Sequence, residues 1–173
     1  MMNRAAVLLA ATFSFLALGG PPVGEKPKTL TLDKNDGGRV SGGPWSSDDM
    51  KGKVSVLFYV DPDFSDLNNA ASEALKAAHF SLEKYQSLAV INMGATWLPN
   101  FAIDGKLKAK QKDYPQTIYV RDVRKLLVKE WKLADDNNDI VAFDKEGKVI
   151  FVHEGKLEAA DIKRLIEVIN QNL

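Results

Sequence analysis

Residues Val54–Val60, reading Val-Ser-Val-Leu-Phe-Tyr-Val, form a nearly continuous apolar run of β-branched and aromatic side chains between Gly52 and Pro62. The run is too short for a buried helix and too apolar for a strand with one face in water, so it predicts a central strand covered on both faces. A helix follows almost at once: Leu67, Ala70, Ala71, Ala74, Leu75 and Ala78 recur at helical spacing, and Asp63 or Asp66 stands where an N-terminal cap belongs. A strand that runs directly into a helix must cross over to reach a parallel neighbour. The rest of the chain repeats that arrangement.

Residues 88–92 read as a second apolar strand, 100–112 as a helix with Phe101, Ile103 and Leu107 on its apolar side, and 117–120 as a third strand entered at Pro115. Residues 123–131 read as a helix ending at Trp131, followed by the polar loop Asp135-Asp136-Asn137-Asn138. Strands at 139–143 and 149–152 are joined by Asp144-Lys145-Glu146-Gly147-Lys148, a hairpin connection. In the closing segment, 158–172, Ile162, Leu165, Ile166 and Ile169 give one apolar stripe for an amphipathic helix on the sheet. Upstream, 29–32 alternates like a short strand, 33–44 reads as a loose connector, and Ser46 to Met50 as a capped single turn after Trp45. The expected architecture is α/β in three layers, with a mixed, mostly parallel central sheet and a C-terminal hairpin and helix.

Residues 1–19 have the pattern of a cleaved secretory signal: Arg4 in the n-region, an uncharged apolar stretch from Ala5 to Leu18, and Ala17-Leu18-Gly19 as a small-residue cleavage site before Gly20. The apolar run falls short of the ~20 residues that span a bilayer and ends at Gly-Gly-Pro-Pro, so no membrane span is expected after cleavage. This places the protein in the periplasm or outside the cell. Residues 20–44 are then an N-terminal extension and 45–173 a single domain large enough for its own core. The chain has no cysteine, so no disulfide supports the fold. Lysine plus arginine equals aspartate plus glutamate at 23 each, and the one basic concentration, Lys106 to Lys112, lacks interleaved aromatics. Nucleic acid is not an expected partner.

The strand and helix order, with Ile140 to Val149 and Gly155-Lys156-Leu157 as its closing hairpin and turn, resembles the redoxin branch of the thioredoxin superfamily over residues 51–173. Gly52-Lys53-Val54, Asp66-Leu67-Asn68, Tyr85-Gln86, Val90-Ile91-Asn92, Tyr114-Pro115, Trp131 and the turn from Asp144 to Lys148 are more specifically similar to the YtfJ family of exported bacterial proteins. The resemblance implies a thioredoxin-like fold. It also implies a functional place between the first core strand and its helix, where redoxins use the helix N-terminus to stabilise a thiolate. Here that junction is Tyr59-Val60-Asp61-Pro62-Asp63-Phe64-Ser65-Asp66. Dithiol exchange and cysteine-based peroxidase chemistry are therefore ruled out. The redoxin cis-proline is missing too, its place being taken by Asn138-Asp139. The label of transcription regulator sometimes attached to YtfJ-like proteins conflicts with export and with a neutral chain.

Two functional readings remain. In the first, a protein or peptide partner is held where the cysteines would be, by Phe64, Ser65, Trp97, Leu98 and Asn138, with Trp97-Leu98-Pro99 as an exposed anchor. In the second, the fold brings Asp61, Asp63 and Asp66 against Asp135, Asp136 and Asp139, a carboxylate set suited to a hard cation such as calcium. The plain alternative is that each of these aspartates caps a helix or turn. His79 reads as a helix C-terminal residue and His153 as a strand end, and two histidines without cysteine do not suggest zinc. Ser65 has no base near it in sequence to make it a nucleophile.

Overall fold

The computed structural model describes residues 19–173; the expected signal segment lies almost wholly outside them. Its elements are β1 (Thr31–Leu32), β2 (Gly37–Arg39), β3 (Trp45–Ser46), β4 (Val54–Val60), α1 (Asn69–Ala77), β5 (Tyr85–Asn92), α2 (Asn100–Asp113), β6 (Thr117–Asp122), α3 (Leu126–Trp131), β7 (Asn138–Phe143), β8 (Val149–Glu154) and α4 (Ala159–Asn172). The main sheet has the order β2-β6-β5-β4-β7-β8. β4, β5 and β6 run parallel, while β7, β8 and β2 are antiparallel to their neighbours, so the sheet is mixed.

β4 is buried at every residue, as its composition requires. Val54, Val56, Phe58 and Val60 face Ala71 and Leu75 of α1, Ile103 and Leu107 of α2, and Leu165 and Ile169 of α4. Leu57 and Tyr59 face the opposite layer, where Leu127 and Trp131 of α3 meet Leu30, Leu32 and Trp45. The period of two along a strand thus assigns alternate residues to two cores. Three helices cover one face; α3 and the chain before β4 cover the other.

The N-terminal region is more structured than its composition suggests. Residues 33–44 contain a 3-10 turn at Lys34–Asp36 and then β2, which forms the sheet edge against β6. Glycine makes this approach possible: at Gly37, φ is 129° and a Cβ would overlap the Arg121 carbonyl oxygen. Sequence patterning sees only turn residues there, because two of the three residues of β2 are glycine.

The capped turn at Ser47–Met50 is present, with a reciprocal capping box between Ser46 and Asp49. α1, by contrast, begins at Asn69 with no side-chain cap; Asp61 instead caps a separate 3-10 turn at Pro62–Phe64. Asn68 lies at the start of α1 and is buried, its amide donating to the Gly155 carbonyl at 2.9 Å and accepting from Leu157 N at 2.8 Å. His79 follows the α1 C-cap with φ of 50°, a left-handed residue ending the helix as expected.

Candidate functional site

Parallel register puts the C-terminal ends of β4, β5 and β6 at one end of the sheet, and antiparallel pairing puts the start of β7 beside them: Val60 lies opposite Ile91 and Asn138, and Asn92 opposite Asp122. Open α/β sheets generally bind ligands beyond the carboxyl ends of their strands. Three loops meet there. Asp61 N donates to the Asn137 carbonyl at 3.1 Å, tying the loop after β4 to the loop before β7. Thr96 Oγ1 donates to Asp63 Oδ1 at 3.1 Å, tying it also to the loop after β5.

The six aspartates lie on these loops and strand ends and have separate tasks. Asp61 accepts from Asp63 N at 2.8 Å, and its carboxyl is pushed up chiefly by burial, with the charges of Asp63, Asp136 and Asp135 adding to the effect. Asp66 accepts from the Asn69 side chain. Asp135 receives Lys125 Nζ at 2.8 Å and the Asn92 amide at 3.0 Å, and the Lys125 bond holds its carboxyl below the usual range. Asp136 is exposed, and Asp139 is buried on the Tyr59 side of the sheet. Among the described residues, no group of three or more histidine, aspartate or glutamate side chains is arranged to hold a metal ion. The loops expected to meet in a calcium-type set do come together, while capping and ion pairing divide their carboxylates.

Beneath the loops lies a polar network that sequence reading missed. Asp122, fully buried at the end of β6, accepts from Leu126 N at 2.8 Å and Leu127 N at 2.9 Å, capping α3 from outside the helix. It also accepts from Tyr59 Oη at 3.1 Å. Burial raises the Tyr59 phenol pKa, and the charge of Asp122 raises it further. The available signal is an aspartate just ahead of an apolar helical stretch, the side chain of a residue preceding a helix.

Asp139 accepts from Ala134 N at 2.6 Å through one oxygen, while the other is buried without a partner. Burial pushes its carboxyl up to about 6. In the unfolded chain the same group titrates near 4. The folded protein holds this proton more tightly, so the contribution to stability is fully present below about pH 4 and is lost as pH rises through about 6. Asp139→Asn is expected to remove roughly 3 kcal/mol of pH dependence across that window. Urea unfolding of both proteins at several pH values measures this, and equal slopes would refute it.

The expected partner-binding residues separate into two groups. Asn138 is buried at 2% exposure within β7, so it is not part of an accessible surface and that expectation is corrected. Its place opposite Val60 in the ladder buries it. Ser65 is exposed and forms no side-chain hydrogen bond among the described residues; Leu98 is half-buried against the core. Trp97 is 88% exposed, whereas Trp45 and Trp131 are 1% and 2% exposed. Phe64, at 45%, and Phe101, at 79%, add aromatic surface at the same end. Phe101 was expected on the apolar side of α2. It stands two residues from buried Ile103, and positions two apart on a helix face away from each other.

The model of the family described as "Bacterial protein of unknown function (YtfJ_HI0045)" matches residues 24–172. The chain belongs to the YtfJ family. An uncharacterised protein of Haemophilus influenzae is 33% identical over 131 residues, covering 73% of this chain and 71% of the relative. Among solved structures, the exposed lipoprotein thioredoxin Etrx1 of Streptococcus pneumoniae superposes with a TM-score of 0.58 at 20% identity, covering 81% of this chain and 98% of that one. A peroxiredoxin-like protein of Aquifex aeolicus gives 0.62 at 13% identity, covering 90% and 91%. These likenesses establish a thioredoxin-like fold for this YtfJ-family chain, one that contains no cysteine.

Proposed function

We propose that this protein is an exported, non-redox thioredoxin-fold module that works by binding a protein or peptide at the loop end of its sheet. The observation that carries the reading is the contrast among the tryptophans: two are sealed in the core while Trp97 stands in solvent, with Phe64 and Phe101 also exposed at that end. Exposing large aromatic surface is unfavourable for a free monomer, and such residues are common anchors of interfaces. The signal pattern in residues 1–19 supports a periplasmic setting. Two tied loops support a preorganised surface, since the bond from Thr96 to Asp63 joins the segments bearing Trp97 and Phe64.

A photoreactive phenylalanine analogue at position 101, with a control at exposed Lys163 on α4, tests this in cells expressing the full chain. A discrete product is expected from position 101 alone. Adding Trp97→Ala and Phe64→Ala should reduce it at least about tenfold, because truncating interface anchors costs upward of about 1.4 kcal/mol each. The same products from both positions, or an undiminished product in the variant, would overturn the reading.

A further inference from the structure

The surface around Trp97 has a marked charge asymmetry, although the whole chain is balanced. Residues 54–75, 85–105 and 133–144, which supply the ends of β4 and β5, the start of β7 and their loops, contain no lysine or arginine. They do contain the exposed Asp63, Asp66 and Asp136, none of which has an ion-pair partner among the described residues. The end of β6 and the turn into α3 lie at the same end and carry Arg121, Arg124 and Lys125, but these are paired with Asp104, Asp36 and Asp135. The lysines of α2, from Lys106 onward, start after the aromatic N-terminal part of that helix.

From this charge complementarity we infer that the occupant of the surface is a cationic segment, an arginine- or lysine-bearing stretch of a partner protein, with a side chain stacked on Trp97 and its charge facing Asp63 and Asp136. The inference rests on the binding reading above and names its partner chemistry. The aromatic face and the carboxylates act in the same direction: the indole ring carries a negative face that attracts cations, and guanidinium groups both stack on such rings and pair with carboxylates. Thr96 holds the Asp63 carboxylate next to the segment that carries Trp97, so both elements are presented together. An acidic partner would meet unneutralised like charge. A purely apolar one would bury carboxylates without counter-charges, at considerable cost.

The molecule has a built-in probe, because Trp97 is the one exposed indole while Trp45 and Trp131 are buried. The full chain is titrated with a tryptophan-free peptide of alternating arginine and glycine, and with a matched peptide of glutamate and glycine, at low and high salt. A saturable change in tryptophan emission with the arginine peptide alone is expected, weakened by salt. It should become about tenfold weaker in Asp63→Asn plus Asp136→Asn, since two carboxylates facing the ligand are removed. Asparagine at 63 retains an oxygen for Thr96, and an unchanged melting temperature verifies folding. Equal response to both peptides, no response, or an emission change on concentrating the protein without peptide, which would mean that a second copy covers the patch, each overturns the inference. If the position-specific crosslink persists while the arginine peptide fails to bind, the cationic partner falls and the binding surface stands. If both fail, the binding reading falls as well.

Discussion

Replacing Trp131 with alanine is expected to lower the unfolding free energy by about 4 kcal/mol, within the usual range for truncating a buried aromatic residue. Trp131 is 2% exposed, and its ring centroid lies 5.7 Å from that of Phe143. Its Nε1 donates to the Lys28 carbonyl at 2.8 Å, joining α3 to the N-terminal segment whose Leu30 and Leu32 fill the same core. The truncation therefore opens a large void and releases a backbone carbonyl together. Trp131→Phe retains most of the volume and loses the N–H, so a cost of about 1–2 kcal/mol is expected. Urea unfolding followed by far-UV circular dichroism separates these effects. An alanine variant within about 1 kcal/mol of the parent would show that this layer is not part of the cooperative core.

Asp122→Ala is expected to cost about 3 kcal/mol. The carboxylate accepts from two backbone N–H groups of α3 and from Tyr59 Oη, and their removal leaves three donors in a largely dry setting. Loss of a cap and of a buried acceptor each contribute on the order of 1–2 kcal/mol. Adding Tyr59→Phe should recover about 1 kcal/mol, because a buried hydroxyl without its partner is worse than no hydroxyl. The double-mutant cycle thus has a sign as well as a size. Additive losses would mean that the Tyr59–Asp122 bond contributes nothing to stability.

How much was legible in the sequence depended on whether a residue's task is set by its neighbours along the chain. β4 was predicted to the residue because a fully buried strand leaves a continuous apolar run. The hairpin of β7 and β8 and the stripe of α4 were equally visible, since turn chemistry and helical period are local signals. β2 was not: its glycines show no alternation, and only the position of Arg121 across the ladder makes them a strand. At the site, the meeting of the loops followed from topology, whereas the use of each carboxylate did not. Asp61 capping its own turn is a local contact, but its burial, the bond of Asp135 to Lys125 and the burial of Asp139 beside Tyr59 depend on parts of the chain brought together by the fold.

By itself, then, the sequence determined the absence of thiol chemistry, the alternation of strands and helices, and the residues of the central strand, because composition and short-range periodicity are complete descriptions of those properties. Tertiary structure alone decided which aromatics lie outside, which aspartates are paired, and that Asn138 is sealed within a strand, because burial and charge are set by what packs across the sheet end.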